Sequence, residues 1–478
     1  MGQPMERLPG HKNNGLFRKK SIADLIAGTK KGKTLRKDLT SFDLTMLGLG
    51  AIIGTGIFVL TGKGAIMAGP GLIISFILAG LACAFSAFAY AEFASTVPVS
   101  GSAYTYSYAT LGEFFAWIIG WDLILEYMLS VSAVSAGWSG YFKTLLAGFG
   151  ITIPTELTAA PGGLENTTTY FNLPAFVIVL LLTGLISIGV RESKRVNNIM
   201  VIIKVLIVLL IIGVGMFYVK PANLTPFLPE GFSGVSQAAA LVFFAFIGFD
   251  AVSSAAEETR DPGKDLPRGI LYSLGICGVL YVAINLVLMG IVPYKDFGGH
   301  IDSPVAYAMS VAQQDWLVGV VSIGAILGMT TVMLVMLYGQ TRIVYSMSRD
   351  GLLPGFFSKI HSNLRTPFAS TWVVGIASAL LGGLIPLDEL ANLVNLGTLA
   401  AFVIISIAVI VLRKTQPDLE RKFRCPGVPY LPALAIIFCG YLMSQLKWET
   451  WERFFIWLII GLVMYFVYSR RKSKLNQE

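Results

Sequence analysis

Charge is scarce in this chain. Asp, Glu, Lys and Arg make up 13% of its 478 residues, about half the share usual in a soluble globular domain. That scarcity excludes a soluble enzyme and a disordered protein. Histidine is rarer still: His11, His300 and His361 lie in tail or loop positions, so no catalytic constellation or histidine metal site is expected. The cysteines Cys83, Cys277, Cys425 and Cys439 are scattered without paired spacing, which excludes a disulfide framework. No Gly-x-x-x-x-Gly-Lys motif occurs, so ATP-driven pumping is excluded. No enzyme activity and no cofactor is expected.

What the chain has instead is hydrophobicity. Apolar residues make up 55% of it, and the mean hydropathy is +0.70. A membrane-spanning helix needs about 20 mostly apolar residues. Such runs fall near 42–68, 70–96, 114–146, 171–190, 196–218, 235–257, 269–293, 305–346, 367–386, 390–412, 429–447 and 452–469. The reading is an all-α polytopic membrane protein of twelve spans in the lipid bilayer. The runs are too long and continuous for a transmembrane β-barrel. Asp122 and Glu126 fall inside span 3, Lys204 inside span 5, and Glu257 and Glu258 at the end of span 6.

The net charge of +8 could suggest a nucleic-acid partner. The distribution of basic residues gives another reading. With the N-terminus in the cytoplasm, only Lys63, Lys143, Lys220, Lys295, Lys447 and Arg453 fall outside, and Lys204 falls within the membrane. All the other Lys and Arg, including Arg191, fall inside. That bias places both termini in the cytoplasm of a plasma-membrane protein and indicates no nucleic-acid binding. No cleaved signal peptide is expected. Asn166-Thr167-Thr168 has the form of a glycosylation sequon. Loops are too short for a separate domain, and no channel filter motif or receptor signalling domain is evident; a monomer is expected.

Two spans are interrupted by glycine. Span 1 carries Gly54-Thr55-Gly56 within Leu47–Phe58, and span 6 carries Gly248 within Phe243–Asp250. Glycines in membrane helices often serve close packing. Glycine at i and i+2 cannot line one packing face, and suits a locally unwound backbone. Unwound backbone at membrane depth is tolerated where it lines a cavity or is buried in protein. Breaks five spans apart point to an inverted repeat with a binding site between the breaks. Residues 1–41 would form a basic cytoplasmic arm. Residues 42–218 and 235–413 would form the two repeats, 429–469 two added helices, and 470–478 a cytoplasmic tail.

At these residues the chain resembles the amino acid–polyamine–organocation superfamily. Gly-Thr-Gly-Ile-Phe (54–58) matches its span 1 glycine motif. Tyr-Ala-Glu-Phe (90–93), Pro98, Ser100-Gly101 and Tyr104-Thr-Tyr106 match the pattern ending span 2. Glu257–Ile270, Asn395–Phe402 and Phe423–Pro429 are similar to the cationic amino acid transporter branch, in its bacterial form. The resemblance implies a LeuT-like five-plus-five inverted repeat with spans 1 and 6 broken. It implies a proton-coupled symporter of L-amino acids working by alternating access. A sodium-independent exchanger is the nearest alternative, and a sodium-coupled symporter a more remote one.

Such a site must hold a zwitterion. Amides of Thr55, Gly56 and Ile57 at a half-helix N-terminus would take the carboxylate, with the Thr55 hydroxyl and the flexible Gly54 beside them. By resemblance, carbonyls of Ile52 or Ile53, Phe244 and Ile247 would take the ammonium, and Phe244 would gate the substrate beside Ala245. The apolar surroundings suit a small neutral amino acid such as alanine. A cationic side chain would need Glu126 or Asp250 to face the pocket. Lys204 lies nine residues past Arg195, about 13 Å into the membrane, and is a functional candidate on that ground. By resemblance it would replace a sodium ion, contacting Gly50 and Ala51 and a hydroxyl at Thr330 or Thr331. It would then either exchange the coupled proton or act as a permanently charged strut. Asp250 and Thr330 complete the candidate ion-coupling set. Glu92 would pair with loop arginines at the inner face.

Overall fold

The computed structural model describes residues 18–21, 37–99, 102–163, 168–189 and 194–476. Ser100-Gly101 of the span 2 motif, Asn166-Thr167 of the sequon, Arg191 and most of the basic arm lie outside the described residues. Among the described residues there is no strand, only a single parallel bridge between Leu39 and Thr259.

Eight helical stretches are long and apolar enough to cross a membrane, and four shorter apolar helices accompany them. We label the main helices in chain order. They begin with α1 (Ser41–Ile52), α2 (Thr55–Phe58), α3 (Leu60–Ala68), α4 (Leu72–Thr96) and α5 (Ser102–Thr110). There follow α6 (Glu113–Gly148), α7 (Leu173–Ser187), α8 (Lys194–Gly215), α9 (Gly231–Val242) and α10 (Pro262–Ile291). The chain continues through α11 (Pro304–Val311), α12 (Asp315–Arg349), α13 (Phe368–Leu384) and α14 (Leu387–Thr415), and closes with α15 (Tyr430–Ser444) and α16 (Trp448–Met464).

Local chemistry sets several boundaries. Thr40 caps α1: its hydroxyl accepts from the Asp43 amide, and the Asp43 carboxylate accepts from the Thr40 amide at 3.0 Å, a capping box. The expected span 8 (305–346) is two helices rather than one. The chain leaves helical geometry at residues 312–314, where Gln313 has φ +57°, and α11 packs as a separate element before α12. The stretch between the expected spans 70–96 and 114–146 contains helix α5.

The helix breaks shape the core. Between α1 and α2 the backbone is extended at Ile53 (φ −74°, ψ 98°) and opens fully at Gly54. After α9 a tight 3₁₀ turn (Phe243–Phe246) leads to extended Ile247, and Gly248 adopts φ +117°. Residues Phe249–Glu258 then continue as a 3₁₀ helix. A left-handed φ costs an L side chain energy that glycine avoids. The two ends of the described chain meet on one face of the bundle. Lys20 Nζ pairs with Asp350 Oδ2 at 2.7 Å, and the Lys474 amide donates to the Asp350 carbonyl at 3.1 Å.

Candidate substrate and coupling site

The two breaks interlock. A Cβ built on Gly56 would stand 2.2 Å from the Ala245 Cα, and one on Gly248 would stand 2.9 Å from the Ala51 carbonyl oxygen. Only backbone without side chains lets the two interruptions approach this closely. Thr55, Gly56, Phe244, Ala245 and Ile247 are all buried there. The first amides of a helix have no carbonyl partner within it, and at α2 these belong to Thr55 and Gly56. The Thr55 hydroxyl is also buried without a hydrogen-bond partner among the described residues. The Ile57 amide, expected as a third free donor, instead donates to the Gly54 carbonyl at 3.3 Å, because the short turn closes on itself.

Of the carbonyls expected to be free at the breaks, those of Ile52, Ile53 and Phe244 are engaged. Tyr281 on α10 donates to the Ile52 carbonyl at 3.0 Å. Lys204 donates to the Ile53 carbonyl at 3.2 Å. The Phe244 carbonyl accepts from the Ile247 amide at 3.3 Å. Each carbonyl oxygen keeps a second lone pair, so these contacts restrain the carbonyls without exhausting them. Across the break, Tyr141 on α6 donates to the Phe58 carbonyl at 2.7 Å. Asn395 on α14 donates to the carbonyls of Ala240 (2.7 Å) and Leu241 (3.0 Å), in the last turn of α9. Sequence reasoning gave none of these three clamps a role. Asn395 had a signal, as a polar residue in an apolar run; the tyrosines had none.

Lys204 is 1% exposed. Its ammonium donates to the carbonyls of Gly50 (2.9 Å), Ile53 (3.2 Å) and Gly328 (3.3 Å), and to the Thr331 hydroxyl (2.8 Å). It therefore ties α8 to the end of α1 and to α12. The α12 hydroxyl is Thr331 and not Thr330. One helical step turns Thr330 toward α6, where its hydroxyl accepts from Trp138 at 3.1 Å. Ala51, the other expected contact, instead presents its carbonyl toward Gly248.

Glu126 and Asp122 stand one turn apart on α6, buried, and each has a carboxylate oxygen with no hydrogen-bond partner among the described residues. The acidic groups facing Glu126 are Asp250 and Asp122. Asp250, 3% exposed, accepts from the Tyr127 hydroxyl at 3.4 Å. Below it a cavity of about 250 Å³ reaches the face where the two ends of the described chain meet, lined by Leu47, Tyr127, Asn197, Ala251, Val335 and Arg342. At its rim Arg342 meets Glu258 at 3.8 Å, and Lys194 meets Asp43 at 3.6 Å. Glu92, fully buried, takes Arg413 through two 2.8 Å contacts, Arg421 at 3.2 Å and the Cys425 amide at 2.8 Å. This pins the loop after α14 to α4.

Comparison with known proteins gives the family. A family model for amino acid permeases matches residues 39–467. The chain is 64% identical over 462 residues to the branched-chain amino acid permease BcaP of Bacillus subtilis, covering 97% of this chain and 99% of that one. It is 54% identical over 465 residues to the methylthioribose transporter of Bacillus subtilis, covering 97% of this chain and 100% of that one. It is 35% identical over 511 residues to the chloroplastic cationic amino acid transporter 9 of Arabidopsis thaliana, covering 92% and 89%. These relatives are membrane transporters rather than enzymes, and the chain belongs to the amino acid permease family.

Proposed function

We propose that this protein imports apolar L-amino acids by proton symport through alternating access. The observation that carries the reading is the meeting of the two helix breaks, where Gly56 packs on Ala245 and Gly248 on Ala51, so that the first amides of α2 and the carbonyls before the breaks share one buried region. Donors for a carboxylate and acceptors for an ammonium then lie at one buried point, and no arginine is needed. Apolar neighbours such as Ile53, Phe244, Ile247 and Val332 suit an aliphatic side chain. Identity to a branched-chain permease extends the expectation from alanine to leucine, isoleucine and valine.

In this reading the chain forms twelve spans with two inverted five-helix repeats (42–218 and 235–413) on a LeuT-like plan. Both termini lie in the cytoplasm beneath the plasma membrane. Three carbonyls and a hydroxyl around Lys204 suit an ammonium that stays charged, so Lys204 serves as a fixed cation in the position where sodium-coupled relatives hold sodium. The transported proton is carried by the buried carboxylates Glu126 and Asp250, the first of which has an oxygen with no hydrogen-bond partner among the described residues. The cavity below Asp250 is the inner vestibule.

A competition panel on the purified protein tests the substrate class. Leucine, isoleucine and valine should displace labelled leucine, alanine should do so more weakly, and arginine should not. Because one relative is a methylthioribose transporter, that sugar belongs in the panel. Binding of methylthioribose with no binding of any amino acid would overturn the reading, since a neutral sugar needs neither end of the zwitterion site.

A further inference from the structure

A second cavity, about 70 Å³, lies at the opposite end of the bundle from the Lys20–Asp350 pair. Its walls include Val59, Lys63, Gly137, Asp302, Leu387 and Asp388. Two ion pairs cross its mouth. Lys63 Nζ, on α3, lies 2.7 Å from Asp388 Oδ2 in the first turn of α14. Lys143 Nζ, on α6, lies 2.7 Å from Asp302 Oδ2 in the segment before α11. That segment and the start of α11 sit on two glycines. A Cβ on Gly62 would lie 2.8 Å from the Pro304 Cβ, and one on Gly140 would lie 2.7 Å from the Asp302 carbonyl oxygen.

The cavity leads to the helix breaks. Gly137 lines it, and a Cβ at Gly137 would lie 2.7 Å from the Thr55 Cγ2. Gly137 and Val59, both in the cavity wall, therefore stand beside Thr55 and its orphan hydroxyl. The side chains of both ion pairs are about one-third exposed, from 31% to 39%. Contacts of that kind between separate elements are weak and part readily.

We infer that this cavity is an outer reception site for an amino acid zwitterion, in which Lys63 takes the carboxylate and Asp388 the ammonium. The inference rests on the amino acid reading above. A zwitterion carries both charges within a few ångströms, and the mouth presents one of each sign with apolar Val59 and Leu387 beside them. When the Lys63–Asp388 pair parts, each group exchanges its partner for one end of the substrate, so opening strands no charge in a narrow cavity. The Lys143–Asp302 pair closes the segment over the mouth.

The test is saturation kinetics for leucine in proteoliposomes of defined orientation, measured separately from the outer and inner faces. Lys63→Gln and Asp388→Asn should each raise the outer-face KM about fivefold and leave the inner-face KM within about twofold. The exchanged double variant, Lys63→Asp with Asp388→Lys, should return the outer-face KM toward the unaltered value. An unchanged outer-face KM in both single variants would overturn the inference. So would an equal shift on both faces, or a double variant no better than the singles. If the unaltered chain shows no saturable amino acid uptake, the functional reading itself fails.

Discussion

Lys204 Nζ lies 2.9 Å from the carbonyl oxygen of Gly50, so a buried cation on α8 holds the last turn of α1 where that helix breaks. The same ammonium reaches Ile53, Gly328 and Thr331. Replacing it with an alkyl group leaves three buried carbonyls without that donor, at about 1–3 kcal/mol for each carbonyl left unsatisfied. Lys204→Met should therefore lower leucine uptake at least about tenfold, as measured in proteoliposomes. Uptake at the unaltered rate would show that the tether has no part in transport.

The contact between the breaks gives a steric prediction. Gly56→Ala would bring a methyl group into the Ala245 backbone, and backbone cannot yield as the far end of a flexible side chain can. Gly248→Ala adds a left-handed φ to a clash with Ala51. Each should destabilise the protein by about 1–3 kcal/mol and abolish uptake, whereas Gly213→Ala, whose Cβ would meet nothing within 4 Å, should do neither. Thermal melting in detergent and leucine uptake check both halves of the claim.

If Glu126 and Asp250 carry the proton, neutral replacements remove the group that gains charge as pH rises. Uptake by the unaltered protein should increase as the outside pH falls, because protons on that side load the carboxylates. Glu126→Gln and Asp250→Asn should flatten that dependence and remove proton-driven accumulation, while leucine counterflow, which needs no net proton movement, persists. A full pH response in both variants would assign the proton to another group.

The Glu92 cluster is a matter of stability. Glu92→Gln leaves Arg413 and Arg421 facing each other without their shared carboxylate. Breaking such a pair should cost about 3 kcal/mol, read as a lowered melting temperature. Arg413→Gln should cost less, since Arg421 and the Cys425 amide still meet Glu92.

The legible part of the site was the part with a chemical anomaly. Lys204 stood out as a charge in an apolar run, and Gly54-Thr55-Gly56 as a spacing no packing face uses. The place of Lys204 followed from helical rise, and that of the glycines from a spacing that suits unwound backbone: Gly54 is extended and Gly56 is required by its approach to Ala245. What stayed hidden depended on side-chain direction and on partners far along the chain. Thr330 and Thr331 differ by one helical step, and only packing decides which faces Lys204. Tyr281 and Tyr141 clamp carbonyls some 229 and 83 residues away, which no local pattern encodes. The division of 305–346 into two helices was missed because Ala312, Gln313 and Gln314 include no proline or glycine. Tertiary packing, not local propensity, ends that helix.

The central claim is proton-coupled import of apolar amino acids, and one measurement addresses it directly. Labelled leucine uptake into proteoliposomes is followed with an inward proton gradient imposed, and then with sodium added in its place. The account predicts accumulation above equilibrium with the proton gradient and no effect of sodium. Accumulation that needs sodium, or uptake indifferent to the proton gradient, would contradict it.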